Sequence, residues 1–268
     1  MIKIHPTAIV DPKAELEEGV EIGPYSVIGP GVKIGAETKI GPHVVIERDT
    51  IIGRRNKIFQ FVAIGAEAQH LAYKGEPTRV EIGDENVIRE FVTIHRGTAL
   101  DQSVTRIGHR CFLMAYVHIA HDCQIGDQVI MASGAALAGH VRVGKGVFFG
   151  GQVGVHQFCR IGDYAFIGAL SGIDKDVPPY VKVFGIPAGI YDLNLIGLRR
   201  AGFKTETIKA LRQALKIFLS SPGTLTEIAA EIESRLGPSP EVQNFVAFIR
   251  NPSKQGVMKK RVQKGEGF

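Results

Sequence analysis

The 268-residue sequence has no tryptophan, only 7% aromatic residues and three cysteines. An odd number of scattered cysteines (Cys111, Cys123 and Cys159) indicates free thiols in a reducing compartment, not a disulfide framework. No apolar run approaches the roughly 18 residues that a transmembrane helix needs. Residues 1–10 also lack the apolar core and cleavage site of a signal peptide. We therefore expect a cytoplasmic protein without a membrane span.

The charge balance is basic, with a net charge of +5 and a pI of about 9.1. A positive surface favours anionic partners such as nucleotide phosphates, an acidic protein or nucleic acid. The chain has no interleaving of basic and aromatic residues, so we predict no nucleic-acid partner. The 32 glycines and few large rings instead indicate many tight turns around a slim aliphatic core.

Large apolar residues recur at every sixth position through most of the first 173 residues. A period of six fits neither a helix, with its period of 3.6, nor an ordinary alternating strand. Each unit can form a short strand and a turn, with the apolar residue inward and a following glycine free to adopt turn conformations. Stacked units would bury a continuous column. The positions are Ile4, Val10, Leu16, Ile22, Ile28, Ile34, Ile40, Ile46, Ile52, Ile58, Ile64, Ile82, Ile88, Ile94, Ile107, Leu113, Ile119, Ile125, Met131, Leu137, Val143, Phe149, Val155, Ile161, Ile167 and Ile173.

This repeat resembles that of the hexapeptide-repeat family, whose fold is a left-handed parallel β-helix with three hexapeptides in each triangular coil. The 26 repeat positions would then form between eight and nine coils. The register breaks at 66–79 and at 96–106, which we interpret as loops that leave the prism. The fold class predicted is mainly β, with a β-helix over 1–190 and a C-terminal α-helical domain over 191–268.

The C-terminal prediction depends on a change of period. Apolar residues follow helical spacing after residue 207, and residues 174–190, rich in proline and glycine, form the connector. Thr224 and Glu227 have the spacing of a capping box that begins a helix, and Gly237 is placed to end it. Ser239 and the proline after it mark the start of another helix. The last 18 residues, 251–268, contain five Lys/Arg and one Glu, and we expect them to be frayed and solvated.

Seven motifs in order resemble those of the UDP-N-acetylglucosamine O-acyltransferase family. They are KGEPTRVEIG, FVTIHRGT, HIAHDC, LAGHV, VHQFCRIG, DVPPY and LNLIGLRRAGF, and together they cover nearly the whole chain. The resemblance implies transfer of a 3-hydroxyacyl chain from acyl carrier protein to the 3-position of UDP-N-acetylglucosamine, the first step of lipid A synthesis. It also implies a homotrimer with active sites between neighbouring prisms. The carrier-protein thioester is the acyl donor, and no further cofactor is expected.

By this resemblance the general base is His121, in the stretch VHIAHDC. An alcohol needs a base to attack at neutral pH, and histidine titrates nearest that pH. Parity along the strand points Ile119 inward and His118 outward, and His121 falls in the next turn. Asp122 can orient the imidazole, or it could equally be only a turn residue. The resemblance assigns the oxyanion donor to the backbone amide of Gly139.

The resemblance also implies a set of substrate-binding residues. His140 and His156 lie 19 and 35 residues beyond His121, close to one and two coils, so we expect all three at one edge of the prism. A guanidinium suits phosphate because it donates two parallel hydrogen bonds, and this interpretation of Arg200 is preferred to that of a solvated helix end. The full set is His70, His118, His140, His156, Gln157, Ala169, Asn194 and Arg200.

Three positions depart from the usual family pattern. His70 and Ala72 replace an aspartate and a lysine near the sugar's 3-hydroxyl, and Ile196 replaces a glutamate. These changes suggest the hypothesis that the acceptor is an analogue with a 3-amino group. Ala169 matches the position that stops the acyl tail. Since alanine is one methyl larger than glycine, we expect a donor chain of medium or slightly shortened length.

Other functions are compatible with a hexapeptide prism. A zinc hydratase needs three histidines converging on one metal across two subunits, but its usual His-x4-His spacing is absent around His118 and His121. We therefore predict no metal. A coenzyme A-dependent acetyltransferase would account for the prism but not for LNLIGLRRAGF. A purely structural solenoid would account for the aliphatic period but not for the histidines on successive coils.

Overall fold

The computed structural model describes residues 1–262, and 26 short strands between Lys3 and Ile173 form its prism. All 26 predicted repeat positions lie in these strands, which are numbered along the chain. The first face contains β1 (Lys3–Ile4), β4 (Glu21–Ile22), β7 (Lys39–Ile40), β10 (Lys57–Ile58), β13 (Val87–Ile88), β16 (Phe112–Leu113), β19 (Ile130–Met131), β22 (Phe148–Phe149) and β25 (Phe166–Ile167). The second contains β2 (Ile9–Val10), β5 (Val27–Ile28), β8 (Val45–Ile46), β11 (Ala63–Ala66), β14 (Thr93–His95), β17 (His118–Ile119), β20 (Ala136–Leu137), β23 (Gly154–Val155) and β26 (Gly172–Ile173). The third contains β3 (Glu15–Leu16), β6 (Lys33–Ile34), β9 (Thr50–Ile52), β12 (Arg79–Ile82), β15 (Val104–Ile107), β18 (Gln124–Ile125), β21 (Arg142–Val143) and β24 (Arg160–Ile161).

Strands on one face pair in parallel with those one coil away. Ile4 pairs with Ile22, and the Lys3 amide donates to the Val20 carbonyl at 2.9 Å. The fold is the predicted left-handed parallel β-helix. We name its edges by the faces they join: the 1–2 edge contains Tyr116, and the 2–3 edge contains His121. The 3–1 edge contains Tyr164.

The core of the prism is a column of the inward residues. Ile46, Ile64 and Ile119 have no exposed surface, whereas Ile4 is 46% exposed because no coil lies beyond it. Burying one such side chain contributes about 2 kcal/mol. Each coil depends on its neighbours for this burial, so the stack is stable only as a whole.

The glycines that follow the inward residues have a different role from the one predicted. Apart from Gly65, whose φ is +80°, these glycines do not have a positive φ, and the left-handed conformation occurs two residues later, at residues such as Tyr25 and His43. A Cβ on Gly23 would lie 2.7 Å from the backbone carbon of Gly41 in the next coil. These glycines are needed for close approach of coils, not for turn conformation.

Two loops leave the prism within the predicted ranges, over 67–78 and 96–103. The first is anchored by Arg96, which is only 2% exposed. Its guanidinium donates to the Gly65 carbonyl at 2.7 Å and to the Tyr73 hydroxyl at 2.8 Å. It also pairs with Glu67 at 3.2 Å. These contacts hold the first loop against the 2–3 edge.

The predicted connector over 174–190 contains a hairpin. Strands β27 (Val181–Gly185) and β28 (Ala188–Leu193) pair antiparallel, and β27 extends the first face by pairing with β25. Strand β28 ends at Leu193, three residues beyond the predicted end of the connector at residue 190. Four helices follow: α1 (Leu195–Arg200), α2 (Thr205–Ser220), α3 (Leu225–Leu236) and α4 (Pro240–Arg250). The capping box at Thr224 and Glu227 and the helix ends at Gly237 and Ser239 are confirmed.

The expectation that 251–268 is frayed is wrong for 251–262. Met258 is 1% exposed, Val257 bridges to Asp176, and Arg261 bridges to Ile190. The apolar residues of this segment dock on the prism, whereas the prediction counted only its charges. Residues 263–268 lie outside the described residues. No helix in the described chain has the length and apolar character needed to cross a membrane.

Candidate active site

The 2–3 edge brings together most of the predicted site residues. His118 lies on β17, and His121 and Asp122 follow in the turn, with Gly139 one coil further on. The first loop adds His70, whose ring meets the His121 ring edge to face at 5.2 Å between centroids. A cleft of about 460 Å³ opens here and is lined by residues that include His70, His118, His121, Gly139 and Gln157.

His121 and Asp122 form a buried hydrogen-bonded pair. Nδ1 of His121 lies 2.9 Å from Oδ2 of Asp122, and the side chains are 8% and 1% exposed. Burial opposes ionisation of Asp122, but hydrogen bonds from His121 and Thr98 outweigh it and lower the pKa of the carboxyl below its usual value. Because an ionised carboxylate can only accept a hydrogen bond, Nδ1 of His121 must carry the proton that it donates to Asp122. The neutral ring then has its lone pair on Nε2. The pair therefore leaves Nε2 of His121 as the ring atom with a lone pair to accept a proton.

The second loop fixes Asp122. The Thr98 amide donates to both carboxylate oxygens, at 2.9 and 3.1 Å, and the Thr98 hydroxyl donates at 2.7 Å. The Asp122 amide in turn donates to the Thr105 hydroxyl at 2.8 Å. Asp122 is thus a structural and electrostatic support of His121, and not only a turn residue.

Gly139 packs directly against the imidazole of His121. A Cβ at this position would lie 2.5 Å from Cε1 and 2.7 Å from Nε2 of that ring. Within residues 1–262, the Gly139 amide has no hydrogen-bond acceptor. Gly139 therefore combines a close approach to the His121 ring with an uncommitted backbone donor.

His140 continues the cluster beyond His121. The two rings meet edge to face at 5.1 Å, and Nδ1 of His140 lies 3.2 Å from Oδ2 of Asp101. Its flat face stacks on Phe158, with centroids 4.4 Å apart and planes 6° from parallel. The His140 side chain is thereby held on several sides.

His118 lies on the floor of the cleft, and His156 and Gln157 lie at its rim. Nδ1 of His118 is 2.8 Å from the Thr93 hydroxyl, and its ring is 5.3 Å from His95. Burial and, second, the neighbouring His95 lower the pKa of His118, which favours the neutral ring. His156 and Gln157 are exposed.

The remaining predicted residues lie at other edges of the prism. Ala169 is exposed at the 1–2 edge. Asn194 is the N-cap of α1: its Oδ1 accepts from the Gly197 amide at 3.2 Å and its Nδ2 donates to the Tyr164 carbonyl at 2.9 Å. Arg200 is exposed in the last turn of α1. One chain alone therefore does not place Asn194 and Arg200 beside His121.

Ligand atoms of His121, Asp122 and His140 lie within 4.8 Å of one another, which is close enough to hold a metal ion. However, Asp122 already accepts hydrogen bonds from Thr98 and His121 at 2.7 to 3.1 Å. A cation would have to displace these bonds. The existing bonds favour an imidazole–carboxylate pair over a metal centre.

Sequence reasoning missed several residues that support the site. Thr98 was visible inside the motif FVTIHRGT, but its contact with Asp122 spans 24 residues across a loop. The others are Asp101, Thr105, Phe158, Lys254 and Gln255, and no local pattern distinguishes them.

Comparison with known proteins gives concordant matches. A family model described as Udp N-acetylglucosamine O-acyltransferase, Domain 2, matches residues 176–258. A second, described as Bacterial transferase hexapeptide (six repeats), matches residues 1–36 and 105–139. A relative from Thiobacillus denitrificans, named acyl-[acyl-carrier-protein]–UDP-N-acetylglucosamine O-acyltransferase, is 56% identical over 249 residues, covering 93% of this chain and 96% of its own.

Solved structures agree with the sequence matches. The UDP-N-acetylglucosamine O-acyltransferase of Moraxella catarrhalis is 45% identical with a TM-score of 0.92, over 95% of this chain and 99% of that chain. The UDP-N-acetylglucosamine acyltransferase of Francisella novicida is 36% identical with a TM-score of 0.90, over 98% of this chain and 95% of that chain.

Proposed function

The chain belongs to the UDP-N-acetylglucosamine O-acyltransferase family, and on that premise we propose how its 2–3 edge performs the reaction. The protein is an acyltransferase of lipid A synthesis that moves an acyl group from acyl carrier protein to UDP-N-acetylglucosamine. The observation that carries the mechanism is the His121–Asp122 pair at 2.9 Å, with Nε2 of His121 free to accept a proton.

In the proposed mechanism, the acyl group is a 3-hydroxyacyl chain and the nucleophile is the sugar's 3-hydroxyl. Nε2 of His121 takes the hydroxyl proton as the oxygen attacks the thioester carbonyl. The ionised Asp122 stabilises the imidazolium that forms. The Gly139 amide donates to the oxyanion of the tetrahedral intermediate. Collapse of the intermediate forms the ester and expels the carrier-protein thiolate, which takes the proton from His121.

The acyl donor lies along the second face in this proposal. The outward residues beyond His118 on this face are Ala136, Gly154 and Gly172, so small residues form the floor of the groove and fill little of it. A Cβ on Gly154 would meet nothing within 4 Å. His156 and Gln157 border this groove, which leads away from the base. Its small residues leave room for an extended acyl chain.

The active enzyme in this proposal is a homotrimer. His121 lies on the 2–3 edge, whereas Asn194 and Arg200 lie near the 3–1 edge. If the second face of one prism packs on the first face of its neighbour, these edges meet and α1 reaches the neighbour's cleft. Arg200 then faces the nucleotide diphosphate. Light scattering at the assay concentration measures the oligomeric state. A protein that is monomeric by this measurement and still fully active would contradict this arrangement.

The surface of the prism supports this packing. From β13 onwards, the outward residues of the first face form an apolar stripe that includes Phe112, Ile130 and Phe148. At the 1–2 edge, exposed rings stack about 5 Å apart; they are Tyr25, His43, Phe61, Phe91 and Tyr116. An apolar stripe next to an exposed aromatic edge is typical of a protein–protein interface. Packing the first face on a second face places the aromatic edges of the copies together.

The three departures from the usual family pattern, at His70, Ala72 and Ile196, support a further hypothesis, that a 3-amino analogue of the acceptor is turned over faster than the 3-hydroxyl sugar. An amine is the stronger nucleophile and demands less of His121. With both sugar nucleotides present in equal amounts, we expect mainly an amide product, measured by mass spectrometry and by its resistance to mild alkali. Faster turnover of the hydroxyl acceptor would contradict the hypothesis. Failure of both acceptors would contradict the proposed function itself.

Ala169 is proposed to limit the length of the acyl chain. Removing its methyl group extends the groove at the far side of the second face, so Ala169→Gly should shift preference towards longer donors. The measurement is the product distribution from a mixed pool of acyl carrier protein thioesters, with wild type assayed in parallel. An unchanged distribution would show that chain length is limited elsewhere.

A zinc hydratase is the alternative with a structural observation in its favour, the grouping of His121, Asp122 and His140. Stoichiometric zinc in the purified protein would support it. The carboxylate of Asp122 already accepts hydrogen bonds from Thr98 and His121, which favours the acyltransferase mechanism over metal binding. We also propose a cytoplasmic location, supported by three buried free thiols.

A further inference from the structure

The C-terminal segment Asn251–Val262, which we call the strap, is anchored on the prism by Asp176. This carboxylate is fully buried and accepts from the Ser253 amide and hydroxyl, both at 2.7 Å. Backbone bonds of 2.8 Å link Asp176 to Gly256 and Met258 on the strap. Such a set of bonds to a buried carboxylate gives the strap a defined path, which brings it to the 2–3 edge.

Lys254 on the strap completes a three-layer stack with two residues of that edge. Its Nζ lies 3.1 Å from the centre of the Phe158 ring. The His140 ring is parallel to Phe158 at 4.4 Å. An ammonium does not fit between two rings this close, so it must lie on the opposite face of Phe158. Phe158 is therefore held between the Lys254 cation and the His140 imidazole.

Gln255 contacts the two residues that precede Phe158 in the same turn. Its Nε2 donates to the Gln157 carbonyl at 3.0 Å and lies 3.3 Å from Nδ1 of His156. Two consecutive strap residues thus contact three consecutive residues of the site's rim, His156, Gln157 and Phe158. The contacts link a segment about 100 positions away in the chain to the cleft.

We propose that the strap is a positioning element of the active site, with Lys254 as its main positioning residue. The Lys254–Phe158 stack fixes the His140 ring, which packs on His121 and lies 3.8 Å from Asp122. The His140 amide also donates to the His121 carbonyl at 3.0 Å. Releasing the stack lets His140 move, and the orientation of the base is then less well defined. This proposal rests on the proposed function, since it gives His121 the role of base.

The test compares Lys254→Met with Lys254→Arg, because methionine keeps the apolar stem without the charge and arginine keeps a cation over the ring. Lys260→Met is the matched control, an exposed lysine of the same strap. For Lys254→Met we expect kcat about fivefold lower, the effect of one cation–π contact, and unchanged KM values. Lys254→Arg and Lys260→Met should keep wild-type kcat, and all three variants should be fully folded at the assay temperature.

Three outcomes would overturn the proposal: wild-type kcat in Lys254→Met, an equal loss in Lys260→Met, or no recovery in Lys254→Arg. A lower thermal midpoint that accounts for the loss would make the role of Lys254 merely structural and would also overturn it. His121→Ala, assayed alongside, distinguishes failure of the proposed role of Lys254 from failure of the proposed function. If wild type is active and His121→Ala is not, the proposed function stands whatever Lys254 does.

Discussion

Replacing His121 by alanine is expected to lower kcat by about 10²- to 10⁴-fold, the usual contribution of a general base. Without Nε2 there is no acceptor for the hydroxyl proton at the position next to the Gly139 amide. The prism should remain folded, because the ring lies at an edge and Asp122 keeps its bonds from Thr98. The loss of one hydrogen bond costs about 1 kcal/mol. We expect the acceptor KM to change little, since the defect lies in the chemical step.

The measurement is steady-state kinetics with an acyl carrier protein thioester, together with thermal unfolding. His5→Ala is the matched control, since His5 is exposed in the first coil and, among the described residues, its ring forms hydrogen bonds only with Thr7. It should retain wild-type turnover. A His121→Ala enzyme that turns over within a few-fold of wild type, while folded, would exclude His121 as the base. The His121–Asp122 pair would then be structural.

Replacing Gly139 by alanine is expected to lower kcat about 100-fold, which is the effect of misplacing a reacting group by about 1 Å. The new Cβ would meet Cε1 of His121 at 2.5 Å, so the ring must move away from its bond with Asp122. The backbone at Gly139 does not have a positive φ, so alanine introduces no conformational strain. The loss should therefore appear in turnover before it appears in folding.

Gly151→Ala is the matched control for this experiment. Gly151 occupies the equivalent position two hexapeptides later, and a Cβ there would come no closer than 3.4 Å to its nearest neighbour, the Ser133 carbonyl. It should keep wild-type kcat and stability. If Gly139→Ala is as active as Gly151→Ala, the His121 ring can shift without consequence. Its close packing against Gly139 would then have no catalytic meaning.

The repeat was readable from the sequence because a period of six is a local property. Each inward residue, such as Ile46 or Ile119, is recognised by its spacing of six from the next one, so the pattern can be read from short segments of the sequence. The helix ends at Thr224 and Gly237 were equally local, since capping depends on a few neighbouring residues. The same reasoning was wrong about the glycines. Their role depends on the backbone of the next coil, 18 residues away, as for Gly23 and Gly41.

The active site was partly readable for the same reason. The spacing of His121, His140 and His156, near multiples of 18, placed them at one edge, and the structure has all three in turns of the 2–3 edge. The supports of the site were not readable. Thr98 reaches Asp122 across a loop, and Lys254 reaches Phe158 from the far end of the chain. These pairs of segments are not related by the six-residue repeat, so the sequence of neither segment indicates that they are in contact.

The sequence by itself determined the prism, the number of its strands, and the presence of His121 in a turn at its surface. Those features follow from which side chains must be buried at regular intervals along one chain. Only the tertiary structure decided the orientation of His121 by Asp122, the packing of Gly139 on the imidazole, and the return of the strap to the site. It also decided that Asn194 and Arg200 lie at a different edge. These features depend on how coils, loops and the C-terminal segment pack against one another, and such packing is set by non-local burial and hydrogen bonding.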